Sequence, residues 1–257
     1  MSLEQFSLHD KAALVIGASN PIGCAFALAL AEAGARVIVT TTSWDKNEEK
    51  AADSCIDKLR ALGCHGVTQV LDTTNEAEVN ALVQRAVAEL GRLDILVNAQ
   101  DLPFAKSLAK ISLSEWQRVL TANLTAVYLS CRAVSGPMLA QGKGRIINLV
   151  SLLSERGMAN GSAYCAAQAG VLNFTRALAL EWARSGVTVN AIGAGWTEGM
   201  GMIADEMLKQ QLVRYLPAKR LAQPYEIGEA VVYLASDTAD FLTGQVVWID
   251  GGALSHL

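Results

Sequence analysis

The sequence predicts an α/β fold: a doubly wound parallel sheet of about seven strands with helices on both faces. Three observations carry that expectation. Short, continuously apolar runs recur along the chain, stretches with helical spacing separate them, and the first run opens through a glycine turn into a helix.

The first run, Ala12–Ile16, ends in Gly17 and is followed by an Ala- and Leu-rich stretch over 21–33 that Gly34 stops. That pattern is strand, tight turn and helix. Residues 37–39, 66–71, 93–97, 145–150 and 187–192 repeat the short apolar run without alternation, as strands buried on both faces do. Helical patterns lie between them over 46–62, 76–90, 113–141 and 163–184, and 224–235 with Val246–Ile249 adds one more helix and one more strand. In such a sheet a ligand binds at the carboxyl ends of the strands. Residues 195–217 contain Gly and Met, fit no strand and read as a lid over that end.

Of the 257 residues 51% are hydrophobic, enough for one large core or two small ones, and no linker, charge block or repeat divides the chain. One domain over 1–257 is expected. The net charge of -4 comes without a Lys/Arg cluster, which argues against nucleic acid as a partner. The start, Met-Ser-Leu-Glu-Gln-Phe, lacks the basic and apolar pattern of a secretory signal, and no apolar stretch reaches the ~20 residues of a membrane span. A cytoplasmic protein is expected. Its five cysteines form no C-x-x-C pair, and its three histidines lie in loops or near an end, so reduced thiols and no metal site are expected.

The turn after the first strand is Gly17-Ala-Ser-Asn-Pro-Ile-Gly23. A glycine turn feeding a helix start aims backbone N–H groups and the positive dipole end at a pyrophosphate. An ordinary strand-to-helix turn is the alternative, and the position in the first βα unit favours the phosphate. Gly17, Ser19, Asn20, Ile22 and Gly23 are the candidates. The acidic residue that would bind a ribose 2′-hydroxyl is missing, because the second strand ends Thr40-Thr-Thr-Ser43. With no carboxylate to repel a 2′-phosphate and the hydroxyls of Thr41 and Thr42 to hold one, NADP(H) is favoured over NAD(H).

Segments along the whole chain resemble the short-chain dehydrogenase/reductase family, whose fold is of the Rossmann type. They are Gly17 to Gly23, Asp72 after the third strand, Asn98-Ala99 after the fourth, Asn123 in a long helix, and Ser151 with Tyr164 thirteen residues on. Val189-Asn-Ala191, Thr243-Gly-Gln-Val and Asp250-Gly-Gly252 complete the set, and the resemblance is greatest to 3-oxoacyl-carrier-protein reductases and their relatives. The resemblance implies a nicotinamide cofactor, a small carbonyl or alcohol substrate and a homo-oligomer, a tetramer or else a dimer. It implies Tyr164 as acid/base, Ser151 as the orienting hydroxyl and Asn123 as a proton-relay residue. Asp72 and Thr73 would meet the adenine, Asn98 and Ala99 the ribose, and Gly195 and Thr197 the nicotinamide end.

The chain departs from the family at the lysine four residues after the tyrosine, where it has Gln168. Residues i and i+4 still share a helix face, so Gln168 keeps a place beside Tyr164 and the cofactor. It brings no charge, however, and a nearby cation typically lowers a pKa of ~10 by ~1–3 units. That loss weighs most on alcohol oxidation, where tyrosine must act as base, and less on ketone reduction. Ile16, Pro21, Val97, Gln100, Ala194 and Gly199 also differ from the family pattern.

Three functions follow. The first is an NADP(H)-dependent oxidoreductase, a carbonyl reductase more than an alcohol dehydrogenase. The second is a nucleotide-binding protein without turnover, which Gln168 supports. The third is a non-redox enzyme using Tyr164 on the same scaffold. Leu153, Trp196, Met200, Met202 and Met207 read either as an apolar substrate pocket or as plain core. The small residues Ala163, Ala166, Ala167 and Gly170 read as a face on which helices of two subunits approach closely.

Overall fold

The computed structural model describes residues 4–41, 46–64, 68–200 and 206–255. Its strands are β1 (Ala12–Ile16), β2 (Arg36–Thr41), β3 (Thr68–Val70), β4 (Ile95–Asn98), β5 (Gly144–Ser151), β6 (Val187–Ala194) and β7 (Val246–Ile249). They form one seven-stranded sheet in the order β3-β2-β1-β4-β5-β6-β7, and every pairing is parallel. All five residues of β1 and all eight of β6 are buried, which explains why these strands read as unbroken apolar runs. Chain order reverses beside β1, which lies between β2 and β4, and that opens a crevice at the strands' carboxyl ends.

The helices are α1 (Pro21–Glu32), α2 (Lys46–Ala61), α3 (Glu76–Leu90), α4 (Leu113–Leu120), α5 (Ala126–Gln141), α6 (Ser162–Trp182), α7 (Glu206–Tyr215), α8 (Pro224–Gly228) and α9 (Ala230–Ala235). Two apolar clusters cover the two faces of the sheet. One joins Phe26 and Leu30 of α1 and Ile227 and Val231 near the C-terminus to β1, while the other joins Leu82 of α3 and Val134 of α5 to β1, β4 and β5. Each such side chain, fully buried, contributes about 1.5–3 kcal/mol.

One expectation changes. The single helix over 113–141 is interrupted by a π turn at Thr121–Thr125, a local unwinding that often marks a functional site. The small-residue stretch of α6 is divided, with Ala163, Ala167 and Gly170 turned toward their own chain and Ala166 exposed. Ala163 and Ala167 are fully buried, and a Cβ on Gly170 would come within 2.8 Å of Leu124. Small residues there let α6 pack closely on its own chain. Among the described residues no helix is long and apolar enough to cross a membrane.

Candidate active site

The site begins with the Gly17–Gly23 loop. Gly17 has φ +94°, and a Cβ there would lie 2.5 Å from the Gln100 nitrogen, so only glycine lets the β1 and β4 ends meet this closely. A Cβ on Gly23 would lie 2.2 Å from the Gly17 carbonyl oxygen. Asn20 caps α1: its side-chain oxygen accepts from the Gly23 N–H at 2.8 Å, and its amide nitrogen donates to the Gly17 carbonyl at 3.0 Å and to the Ala99 carbonyl. The Gly17 and Ala18 N–H groups donate to the Thr40 carbonyl, Pro21 has none, and the Cys24 N–H reaches the Asn20 carbonyl. The N–H of Ile22 is therefore the first-turn donor left for an anion.

At the carboxyl ends of β5 and β6 a cleft is lined by Ser151, Tyr164, Gln168, Asp101, Trp196 and Met200, with Gly195 and Thr197 at its side. Tyr164, 3% exposed, projects from the first turn of α6, and Ser151 stands at the end of β5 with its hydroxyl toward the phenol. The Ser151 hydroxyl also accepts from the Leu153 N–H at 3.2 Å. Gln168, one helical turn beyond Tyr164, accepts from the Ser151 N–H at 3.0 Å. The expected convergence of residues 151, 164 and 168 is present.

Sequence reasoning missed Asp101. Its carboxylate accepts the Tyr164 hydroxyl proton at 2.7 Å and the Gln168 amide proton at 3.2 Å. The surrounding protein strips water from this carboxyl and raises it from 3.8 to about 6, with the Tyr164 hydrogen bond pulling the other way. Burial, then the Asp101 charge, raise Tyr164 well above the ordinary phenol value. The signal in the sequence was a carboxylate at the carboxyl end of β4, within Asn98-Ala-Gln-Asp101.

Residues 17–254 match the family model described as enoyl-(acyl carrier protein) reductase. The chain belongs to the short-chain dehydrogenase/reductase family. It is 38% identical over 247 residues to cis-4-hydroxycyclohexanecarboxylate dehydrogenase of Sinomonas cyclohexanicum, a match covering 95% of this chain and 96% of that one. It is 37% identical to the 3-oxoacyl-[acyl-carrier-protein] reductase of Vibrio cholerae, covering 96% and 98%. Among solved structures, the gluconate 5-dehydrogenase of Burkholderia cenocepacia in complex with NADP and tartrate superposes with a TM-score of 0.91 at 30% identity, covering 100% of both chains. These relatives are oxidoreductases.

The other short-chain dehydrogenase/reductase positions fall into two groups. Asn123 and Asn98 are spent on the protein itself. The Asn123 side chain accepts from the Leu102 N–H at 2.9 Å and donates to the Leu102 and Val119 carbonyls, so the π turn clamps the loop that carries Asp101. Asn98 is buried, donating to Asn148 at 2.9 Å and accepting from Ser130 at 2.6 Å, and does not reach the cleft. Asp72 accepts from the Thr74 N–H and hydroxyl, and Thr197 donates to the Gly195 carbonyl at 3.0 Å. By contrast, Thr40 and Thr73 have buried hydroxyls, and Gln100 a buried amide, without a protein partner. Unpaired buried polar atoms are costly, and these three lie at the carboxyl ends of β2, β3 and β4, along the crevice a dinucleotide would occupy. The residues present fit such a cofactor.

Thr41 is buried beside Thr40, and Thr42 and Met202 lie outside the described residues. The segment expected as a lid contains α7, whose Leu212 and Val213, with Leu216 just beyond, pack against the cluster holding Tyr164 and Leu153. Met207 is 70% exposed and faces away from that cluster's interior. Among the described residues no group of His, Cys, Asp or Glu has the makings of a metal site.

Proposed function

We propose that the chain is an NADP(H)-dependent oxidoreductase that interconverts a small carbonyl compound and its alcohol. The convergence of the Ser151 and Tyr164 hydroxyls in one cleft beside the helix-capped glycine loop carries this reading. Gly17, Ser19, Ile22 and Gly23 would hold the pyrophosphate, Thr41 and Thr42 the 2′-phosphate, and Asp72, Thr73 and Ala99 the adenosine, while Asn98 would hold the end of β4 in place behind it. Gln168, Gly195 and Thr197 would meet the nicotinamide half. The absence of a carboxylate at the end of β2 supports NADP(H) over NAD(H).

When bound, the dinucleotide supplies hydride exchange with the reacting carbon. Ser151 donates a hydrogen bond to the substrate oxygen and fixes it in the cleft. Tyr164 exchanges a proton with that same oxygen. Met200 and Trp196 give the cleft an apolar wall that excludes water and suits a partly apolar substrate. A cytoplasmic location and a homotetramer belong to the same reading, supported by five free cysteines and an acidic balance for the first and by the family's habit for the second. A nucleotide-binding protein without turnover is the second reading, favoured by the uncharged Gln168.

Calorimetric titration with NADPH and NADH, followed by absorbance of the reduced nicotinamide, tests the reading. The panel takes its alcohols and ketones from the relatives' names: gluconate, cis-4-hydroxycyclohexanecarboxylate and a 3-oxoacyl thioester. Cofactor binding with turnover of at least one compound is the expected result. Binding without turnover of any compound would select the second reading.

A further inference from the structure

The family pattern puts a positive charge near the tyrosine, whereas this chain puts a negative one there. Gln168 replaces the cation, and Asp101 points a carboxylate at the Tyr164 hydroxyl from the loop after β4. This arrangement is held from several sides. The Gln168 amide bridges Asp101 and the backbone of Ser151, and Asn123 clamps the adjoining Leu102 peptide through both its N–H and its carbonyl.

We propose that Asp101 is the proton acceptor behind Tyr164, so that the site works as an alcohol dehydrogenase at neutral pH through a two-step proton relay. The inference rests on the oxidoreductase reading above and fixes its direction. A tyrosinate next to a carboxylate is strongly disfavoured, so Tyr164 cannot hold negative charge between steps. It passes a proton on as it receives one. The substrate O–H proton moves to the Tyr164 oxygen while the phenol's own proton moves to Asp101 Oδ1. The substrate C–H bond breaks, its electron pair leaves as hydride to the oxidised nicotinamide dinucleotide, and the C=O bond forms. The products are the carbonyl compound, the reduced dinucleotide and a neutral Asp101 carboxyl, which returns its proton to water through the cleft.

A carboxyl titrating at about 6 is ionised at pH 7 to 8 and ready to accept. The reverse reaction needs it protonated, so carbonyl reduction is favoured below pH 6. Among the described residues the titratable groups acting on the pair are few. They are Tyr164 and Asp101 themselves, with Cys165 adjoining on α6. The other residues lining the cleft, from Ile22 of α1, β5 and the segment after β6, carry no charge.

Two measurements test the relay. Carbon NMR of the protein alone, labelled at aspartate carboxyls, should show one carboxyl titrating near pH 6 that is missing from Asp101→Asn. Initial rates of oxidation should be measured on whichever alcohol of the panel turns over fastest. They should rise from pH 5 to 7 in the wild type. Asp101→Asn keeps the acceptor for Tyr164 and for Gln168, yet should lose about 100-fold at pH 8 along with that pH dependence, while Asp101→Glu recovers part of the rate. A variant that unfolds no more readily than wild type but whose rate at pH 8 stays within threefold of wild type would overturn the relay and leave the oxidoreductase reading intact. Cofactor binding without oxidation or reduction of any compound would overturn both.

Discussion

Gln168 ties Ser151 to Asp101: its amide oxygen accepts from the Ser151 N–H at 3.0 Å while its nitrogen donates to Asp101 Oδ1 at 3.2 Å. Lysine cannot reproduce this bridge, because an ammonium group donates and never accepts. Gln168→Lys should therefore do two things. An ion pair with Asp101 lowers the carboxyl's titration by about 1–3 units. The Ser151 N–H loses its acceptor, at a cost of about 1–3 kcal/mol. Carboxyl NMR and thermal unfolding read these separately, and a carboxyl still titrating near 6 in the variant would contradict the first.

Asn123 makes three hydrogen bonds, all to backbone atoms, and two of them grip Leu102 next to Asp101. Asn123→Ala takes the side-chain partner from the half-buried Leu102 N–H and from the Leu102 and Val119 carbonyls. The expected loss of stability is about 1–3 kcal/mol, or several degrees in Tm at about 2–4 °C per kcal/mol for a chain of this size. Freed from its clamp, the Asp101 loop no longer holds the carboxylate against Tyr164, so kcat should fall more than KM rises. A raised KM with kcat unchanged would show that Asn123 acts on substrate binding instead.

The strands were legible because a parallel sheet buried on both faces demands short apolar runs, and β1, β5 and β6 appear where those runs lie. The convergence of Ser151 and Tyr164 was legible through the family resemblance, and the i, i+4 spacing kept Gln168 on the helix face of Tyr164. What the sequence hid depends on contacts between distant segments. The π turn around Asn123 keeps an unbroken helical composition, and only its hydrogen bonds to Leu102 explain it. The small face of α6 fits an internal and an external partner equally well on paper, and Leu124 covers it from within only at Gly170, while Ala166 stays exposed. Asp101 lies 63 residues from Tyr164, so no local pattern joins them.

The glycine loop gives a prediction about the cofactor. Gly23→Ala places a methyl group 2.2 Å from the Gly17 carbonyl oxygen, so the turn and the start of α1 must move apart. That shift misaims the Ile22 N–H that an anion would use. NADPH affinity in the calorimeter should drop at least about tenfold, equivalent to about 1.4 kcal/mol. Undiminished binding would place the dinucleotide's phosphates elsewhere.

Asp101 also gives the folded chain a pH-dependent cost. Its carboxyl is raised in the folded state, from 3.8 to about 6, so the folded chain binds this proton more tightly than the unfolded chain does. For a group shifted in this direction, its favourable contribution is complete below the unfolded value and is lost as pH rises through the folded one. Asp101→Asn keeps the hydrogen-bond geometry and removes the titration. The variant should gain on wild type between pH 4 and 7, with an advantage at pH 8 of up to about 3 kcal/mol, set by a shift of about two units. Urea unfolding at pH 4 and pH 8 checks the sign. A variant that gains nothing at pH 8 relative to pH 4 would mean the carboxyl ionises in the folded chain without penalty, and the group would then lack the raised affinity for a proton that the relay requires.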